Sequence, residues 1–102
     1  MIPTGLIFDI PENHVMKMYI RSSAAAKKGL TLSNGVGIID SDYVDETHIL
    51  VHNISDSLTR VIHGERLAQC MVEKMDQTQL IMINERPKQK TDRDGGIGST
   101  GS

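Results

Sequence analysis

Turn-forming residues interrupt this sequence so often that long helices are excluded. Pro3, Gly5, Pro11, Gly29, Asn34-Gly35, Gly37, Asn53 and Gly64 punctuate the chain, and the segments between them run to about five to nine residues, which is strand length. Those segments carry β-branched residues or Met: Val15 to Ile20, His48 to Ile54, Leu58 to Ile62, Leu67 to Val72 and Leu80 to Ile83. An all-β domain is expected. The one helical segment is Ser22 to Lys28, where three Ala and two Lys precede Gly29, a residue suited to a left-handed helix cap. Asn34-Gly35 is the strongest hairpin signal, because a type I′ turn needs positive φ at both central positions. It predicts a hairpin joining Leu30-Thr31-Leu32 to Val36-Gly37-Ile38-Ile39. From Glu85 onward Lys, Gln, Asp, Gly and Ser replace apolar residues almost entirely, so residues 85–102 read as a mobile arm behind a β domain of residues 1–84.

A chain of 102 residues makes one small domain, which folding alone would bury to only roughly 60–70% of its unfolded surface. With one Phe, two Tyr and no Trp, its core is built from Ile, Leu, Val and six Met. A subunit interface could add to that burial. The formal charge is −2 with both signs interspersed, which argues against general nucleic-acid binding. The longest apolar run, Leu80-Ile81-Met82-Ile83, is far short of a membrane span. Cys70 has no second Cys to pair with, and in an alternating strand it reads as a small core residue. A soluble protein of the cytoplasm, or of the host cytoplasm if the source is viral, is expected. His48 and His52 would lie about 13 Å apart on a strand, too far to share one zinc ion.

Four short stretches carry chemistry. In Gly37-Ile38-Ile39-Asp40-Ser41-Asp42-Tyr43 the two carboxylates, if on a strand, share a face at about 6.6 Å spacing; read alone, they are also good turn residues. Arg21-Ser22-Ser23 puts a cation, two hydroxyls and free N–H groups where a helix begins, as a phosphate requires, or else forms a helix cap beside a solvated Arg. Gly64-Glu65-Arg66-Leu67-Ala68-Gln69 ends on a neutral amide that can stabilise phosphate charge without titrating; Glu65 and Arg66 read as an ion pair. Arg93 and Gly95 to Gly101 form a glycine-rich segment with hydroxyls, but no Gly-Lys-Ser/Thr follows, so it is not a nucleotide-binding P-loop.

In their order and spacing along the chain, the four stretches resemble the motifs of trimeric dUTPases. The resemblance implies a distorted jelly roll, or β-clip, with one short helix and a flexible C-terminal arm, assembled as a homotrimer with its sites at subunit interfaces. It implies hydrolysis of dUTP to dUMP and diphosphate, with Mg2+ on the triphosphate and no metal ligand assigned to the protein. By the same resemblance Asp40 activates the attacking water, and Tyr43 packs under the deoxyribose where a 2′-hydroxyl would clash. Ile39 is a further substrate contact. Asn34 and Gly35 read the uracil edge and leave no room for a 5-methyl group. Arg21 and Ser22 hold phosphate, with Ser23 where Gly is frequent, and Gln69 lies near the α- and β-phosphates. On the arm, Arg93 would meet the γ-phosphate and Ser99 and Thr100 would cap phosphates next to Gly98. Ile97 occupies the place of the aromatic that stacks on uracil.

The family's first motif, a short Ala-Gly-x-Asp segment, has no counterpart here, and neither do the early strands that accompany it. The resemblance covers nearly all of this chain but about two-thirds of a typical member, so an exposed apolar groove or a compensating interface is expected. Val44-Asp45 also departs from the family pattern. Losing the stacking aromatic removes roughly 1–3 kcal/mol per base in nucleic-acid systems, which implies weaker nucleotide binding. Two alternative functions stand beside it. One is a catalytically weak or inactive nucleotide-binding or protein-binding remnant of the fold. The other is dCTP deaminase, which shares the fold, but Leu50 stands where its catalytic Glu would lie and cannot shuttle a proton.

Overall fold

The computed structural model describes residues 1–96. Its elements are β1 (Ile2–Pro3), β2 (His14–Ile20), α1 (Ser22–Lys28), β3 (Leu30–Leu32), β4 (Gly37–Asp40), β5 (His48–Ile49), β6 (Val51–Asn53) and β7 (Ala68–Lys74). The protein is mostly β with one short helix, as its punctuation implies.

The strands form three antiparallel sheets, ordered β4-β2-β7, β1-β5 and β3-β6. β2 organises the molecule because its alternation suits a one-sided sheet: Met16 and Met18 are buried while their neighbours are half-buried. Met16 lies opposite Ile39 on one side and Val72 on the other, and Met18 opposite Gly37 and Cys70. Ile10, Met16, Met18, Leu32 and Ile39 make the main core, flanked by Phe8, Ile20, Ile49, Val51 and Ala68. Ala24, Leu30 and Leu67 form a second cluster that seats the helix.

Helix α1 matches its sequence signals. Arg21 enters in extended conformation (φ −72°, ψ 144°), and Gly29 closes the helix in the left-handed region (φ 63°, ψ 34°), its N–H directed at the Ala24 and Ala25 carbonyls. Lys27 and Lys28 occupy the last turn, where positive charge suits the helix dipole. Gly29 is also a contact point, since a Cβ there would lie 2.6 Å from Ser55 Cβ.

Asn34-Gly35 turns the chain, but not as a type I′ hairpin. Gly35 donates its N–H to the Leu32 carbonyl at 3.0 Å, and Gly35 has φ 73° whereas Asn34 does not enter the positive region. The flanking strands do not pair with each other: β3 pairs with β6 and β4 with β2. The loop is a corner between two sheets, because local turn chemistry fixes a reversal while burial selects the partner.

His48 to Ile54 is likewise not one strand. It breaks at Leu50, whose carbonyl accepts the Ser33 N–H at 2.8 Å, as the chain changes partner from β1 to β3. Leu58 to Ile62 and Leu80 to Ile83 are not strands either. Leu58 and Leu80 are 102% and 93% exposed; β-forming composition without a neighbouring edge or a face to bury makes no ladder. Cys70 is exposed rather than in the core, although its position opposite Met18 points it to the core face.

Candidate functional site

β4 runs into the turn that holds the acidic motif. Asp40 Oδ1 accepts the Asp42 N–H at 3.0 Å and the Ser41 hydroxyl at 3.3 Å, and Tyr43 N–H donates to the Asp40 carbonyl at 3.0 Å. The two carboxylates therefore do not share a strand face; Asp42 supplies a backbone donor that fixes the Asp40 side chain. Tyr43 is anchored at its far end, its hydroxyl donating to the Glu46 carbonyl at 2.7 Å. With the ring held at both ends, one edge of a cavity of about 240 Å³ is defined, lined by Asn34, Ile39 and Tyr43 together with Met18, Thr47 and Leu50. Three of the residues expected to meet the base and sugar thus share one pocket. Gly35 lies on the corner beside it.

The residues expected to meet phosphate gather elsewhere. Arg21 is held at the helix start, its backbone N–H donating to the Leu67 carbonyl at 2.9 Å and its Nη1 to the Arg66 carbonyl at 3.2 Å. Arg21 and Ser23 line a depression of about 400 Å³ with Lys27, Lys28, Glu65 and Arg66. Ser22 is exposed on the first turn. Glu65 pairs with Lys28 at 2.5 Å and not with Arg66. Gln69 is exposed on β7 opposite Tyr19, and it lines a third depression of about 330 Å³ that Arg21 and Arg66 also border.

Arg21 and Arg66 therefore link the second and third depressions, and Met18 and Thr47 border both the first cavity and the third depression, but none of these three hollows is lined by Asn34, Ile39 or Tyr43 together with Arg21, Ser23 or Gln69. Arg93 lines a separate surface hollow with Arg86 and Lys88. Ile97, Gly98, Ser99 and Thr100 lie outside the described residues.

Two features carried no sequence signal. Thr47 is buried at 3% exposure and lines the base-side cavity, yet it sits in a polar stretch that reads as loop. Lys27 and Lys28 add charge to the phosphate side, although in sequence they serve only to end a helix. Among the described residues no group of three or more His, Cys, Asp or Glu could cage a metal ion. His48 has Glu46 beside it at 3.9 Å, an isolated contact.

A β-protein that carries an amide-bearing, tyrosine-walled cavity and a cationic depression has the parts of a nucleotide-binding enzyme. The family model named dUTPase matches residues 1–101, and the chain belongs to the dUTPase family, enzymes that hydrolyse dUTP. It is 42% identical over 102 residues to the deoxyuridine 5′-triphosphate nucleotidohydrolase of Bdellovibrio bacteriovorus, covering 99% of this chain and 67% of that protein. Against a Brucella melitensis relative the identity is 40%, covering 100% of this chain and 64% of the relative. The chain thus spans about two thirds of the length of the curated relatives it matches. The dUTPase of Streptococcus mutans superposes with a TM-score of 0.68 at 29% identity, over 81% of this chain and 66% of that one. A phage 80alpha dUTPase carrying dUpNHpp has the same fold, with a TM-score of 0.74 at 20% identity over 98% of this chain and 74% of that one. The phage phi11 dUTPase, with a TM-score of 0.66 at 21% identity over 81% of this chain and 70% of that one, coordinates a structural Mg(II) ion.

Proposed function

We propose that this chain is the subunit of a homotrimeric dUTP diphosphatase, acting in the cytoplasm. The observation that carries the reading is the cavity walled by Asn34, Ile39 and Tyr43 beside the fixed Asp40 turn. In this proposal the base enters against Asn34 and the Gly35 backbone, the deoxyribose rests on Tyr43, and a 2′-hydroxyl finds no room. Asp40, its Oδ1 oriented by Asp42 N–H, takes a proton from a water that attacks the α-phosphorus. The P–O bond to the β-phosphoryl group breaks, and dUMP and diphosphate leave. Arg21, Ser22, Ser23 and Gln69 place and neutralise the phosphates; Arg93, Ile97, Gly98, Ser99 and Thr100 of the arm close over the nucleotide. Because the described residues form no metal cage, Mg2+ is proposed to enter on the triphosphate, where it offsets phosphate charge.

The placing of Asn34, Ile39 and Tyr43 in one hollow and of Arg21, Ser23 and Gln69 in others is the support for shared sites: in this proposal dUTP meets both sets where a neighbouring subunit brings the second alongside. A lone subunit is then inactive.

The test is diphosphate release from dUTP with Mg2+, run beside dTTP, dCTP and UTP. Turnover confined to dUTP and lowered by roughly 10²-fold or more in Asp40→Asn is the expected result. Equal turnover of dTTP or UTP, or an active Asp40→Asn protein, contradicts the assignment. Trimeric protein that binds a dUTP analogue without turning it over favours the binding remnant.

A further inference from the structure

We propose that Asn34 is a site of spontaneous deamidation, at which the backbone nitrogen of Gly35 converts an amide of the base-side cavity into a carboxylate. The chain has four Asn residues, followed by His14, Gly35, Ile54 and Glu85, and only glycine leaves the next peptide nitrogen unshielded by a side chain. The structure sets Asn34 further apart. Asn53 is held at both ends of its amide, Nδ2 donating to the Ser57 carbonyl at 2.8 Å and Oδ1 accepting the Ser55 N–H at 3.0 Å, and the Ile54 N–H donates to the Gly29 carbonyl at 2.9 Å. Asn13 Oδ1 accepts from Gln77 Nε2 at 3.0 Å. The Asn34 amide has no such hold among the described residues; its Nδ2 rests over Gly37, 3.8 Å from where a Cβ on that glycine would stand. Residues 33–36 are exposed, and a Cβ added to Gly35 would meet nothing within 4 Å, so a ring can close there without displacing a neighbour.

The step needs no reactant but water. Gly35 N attacks Asn34 Cγ; a C–N bond forms, the Cγ–Nδ2 bond breaks, and the proton from the Gly35 nitrogen is made up, through solvent, on the departing ammonia. Water then opens either carbonyl of the five-membered imide to leave aspartate or isoaspartate. The turn restrains this reaction, because the Gly35 N–H is given to the Leu32 carbonyl at 3.0 Å and the Val36 N–H to the Asn34 carbonyl at 2.8 Å, and the nucleophile is freed only when the corner opens. Since Asn34 lines the cavity of about 240 Å³ with Met18, Ile39 and Tyr43, the product sets a negative charge among apolar walls where an amide donor stood. Isoaspartate also lengthens the main chain by one methylene between Leu32 and Val36. A nucleotide in the cavity favours the closed corner and slows the reaction. The chemistry at Asn34 rests on the corner; its effect on turnover and its slowing by nucleotide rest on the proposed function.

The test ages the full chain in warm, mildly alkaline buffer, with and without saturating dUMP and beside the same chain unfolded in urea. Peptide mass mapping, isoaspartate and dUTP turnover are followed in the same samples. Asn34 is expected to convert at least about tenfold faster than Asn13, Asn53 or Asn84, more slowly when dUMP is present, with turnover falling in step with the converted fraction. Asn34→Asp, freshly made, is expected to show the same loss at once, and Asn34→Gln, which would need a six-membered ring, to stay unmodified there. An Asn34 amide still intact in the folded chain after the unfolded chain has lost its own overturns the proposal, as does conversion no faster than at the other three positions. Conversion that leaves turnover at its starting value overturns the effect on the cavity. A fresh chain without turnover sinks the enzyme reading instead, and conversion at Asn34 ahead of the other positions then still bears out the chemistry.

Discussion

Asp40 shows what one hydrogen bond adds to a motif. As sequence, Asp40 and Asp42 are two acids two residues apart; as structure, Asp42 contributes its N–H and fixes the Asp40 carboxylate at 3.0 Å. Cys70 illustrates the reverse. Alternation along β7 correctly gives the face it points to, but exposure depends on what lies over that face, which no local pattern encodes. Desolvation by its neighbours still pushes the Cys70 thiol above its ordinary value, since burial disfavours the thiolate. Alkylation of Cys70 in the chain alone is therefore expected to lag behind a free model thiol near neutral pH and to catch up only at higher pH. A rate–pH profile that overlays the model thiol would contradict this. Lys17 is displaced upward as well, by its hydrogen bond to Glu73 at 2.9 Å and that carboxylate's charge; lying in solvent, the pair contributes little to stability.

Helix α1 was legible in the sequence because everything that starts and stops it is local. Ala sets the propensity, the paired Lys suit its last turn and Gly29 ends it. Gly29→Ala is expected to lower stability by more than about 1 kcal/mol, because it forces a side chain into the left-handed region and places its Cβ 2.6 Å from Ser55 Cβ. A urea midpoint equal to wild type would show that neither constraint holds. The Asn34-Gly35 corner was half legible. Gly35 supplies the reversal its φ requires, yet β3 and β4 take partners 19 or more residues away in sequence, and pairing of that range is decided by which faces bury Leu32, Met18 and Ile39. The same reasoning accounts for Leu80 to Ile83, whose composition is that of a strand and whose surroundings among the described residues offer it no edge.

At the scale of the whole molecule, the family was legible in the order of the motifs, while the distribution of the candidate site residues over separate hollows was not. Spacing along a chain does not say that Asn34, Ile39 and Tyr43 converge on one cavity while Arg21 and Ser23 face another. That distribution underlies the central claim, that each nucleotide is held jointly by two or more copies of the chain. The direct measurement is subunit mixing: Asp40→Asn and Arg21→Ala chains, each inactive alone, are unfolded together, refolded at equal amounts and assayed with dUTP. Random closed trimers with shared sites give an intact Asp40 facing an intact Arg21 in about a quarter of sites, so the account predicts about a quarter of wild-type turnover. Mixed trimers, verified by size, that remain as inactive as either parent would show that each site is built within one subunit.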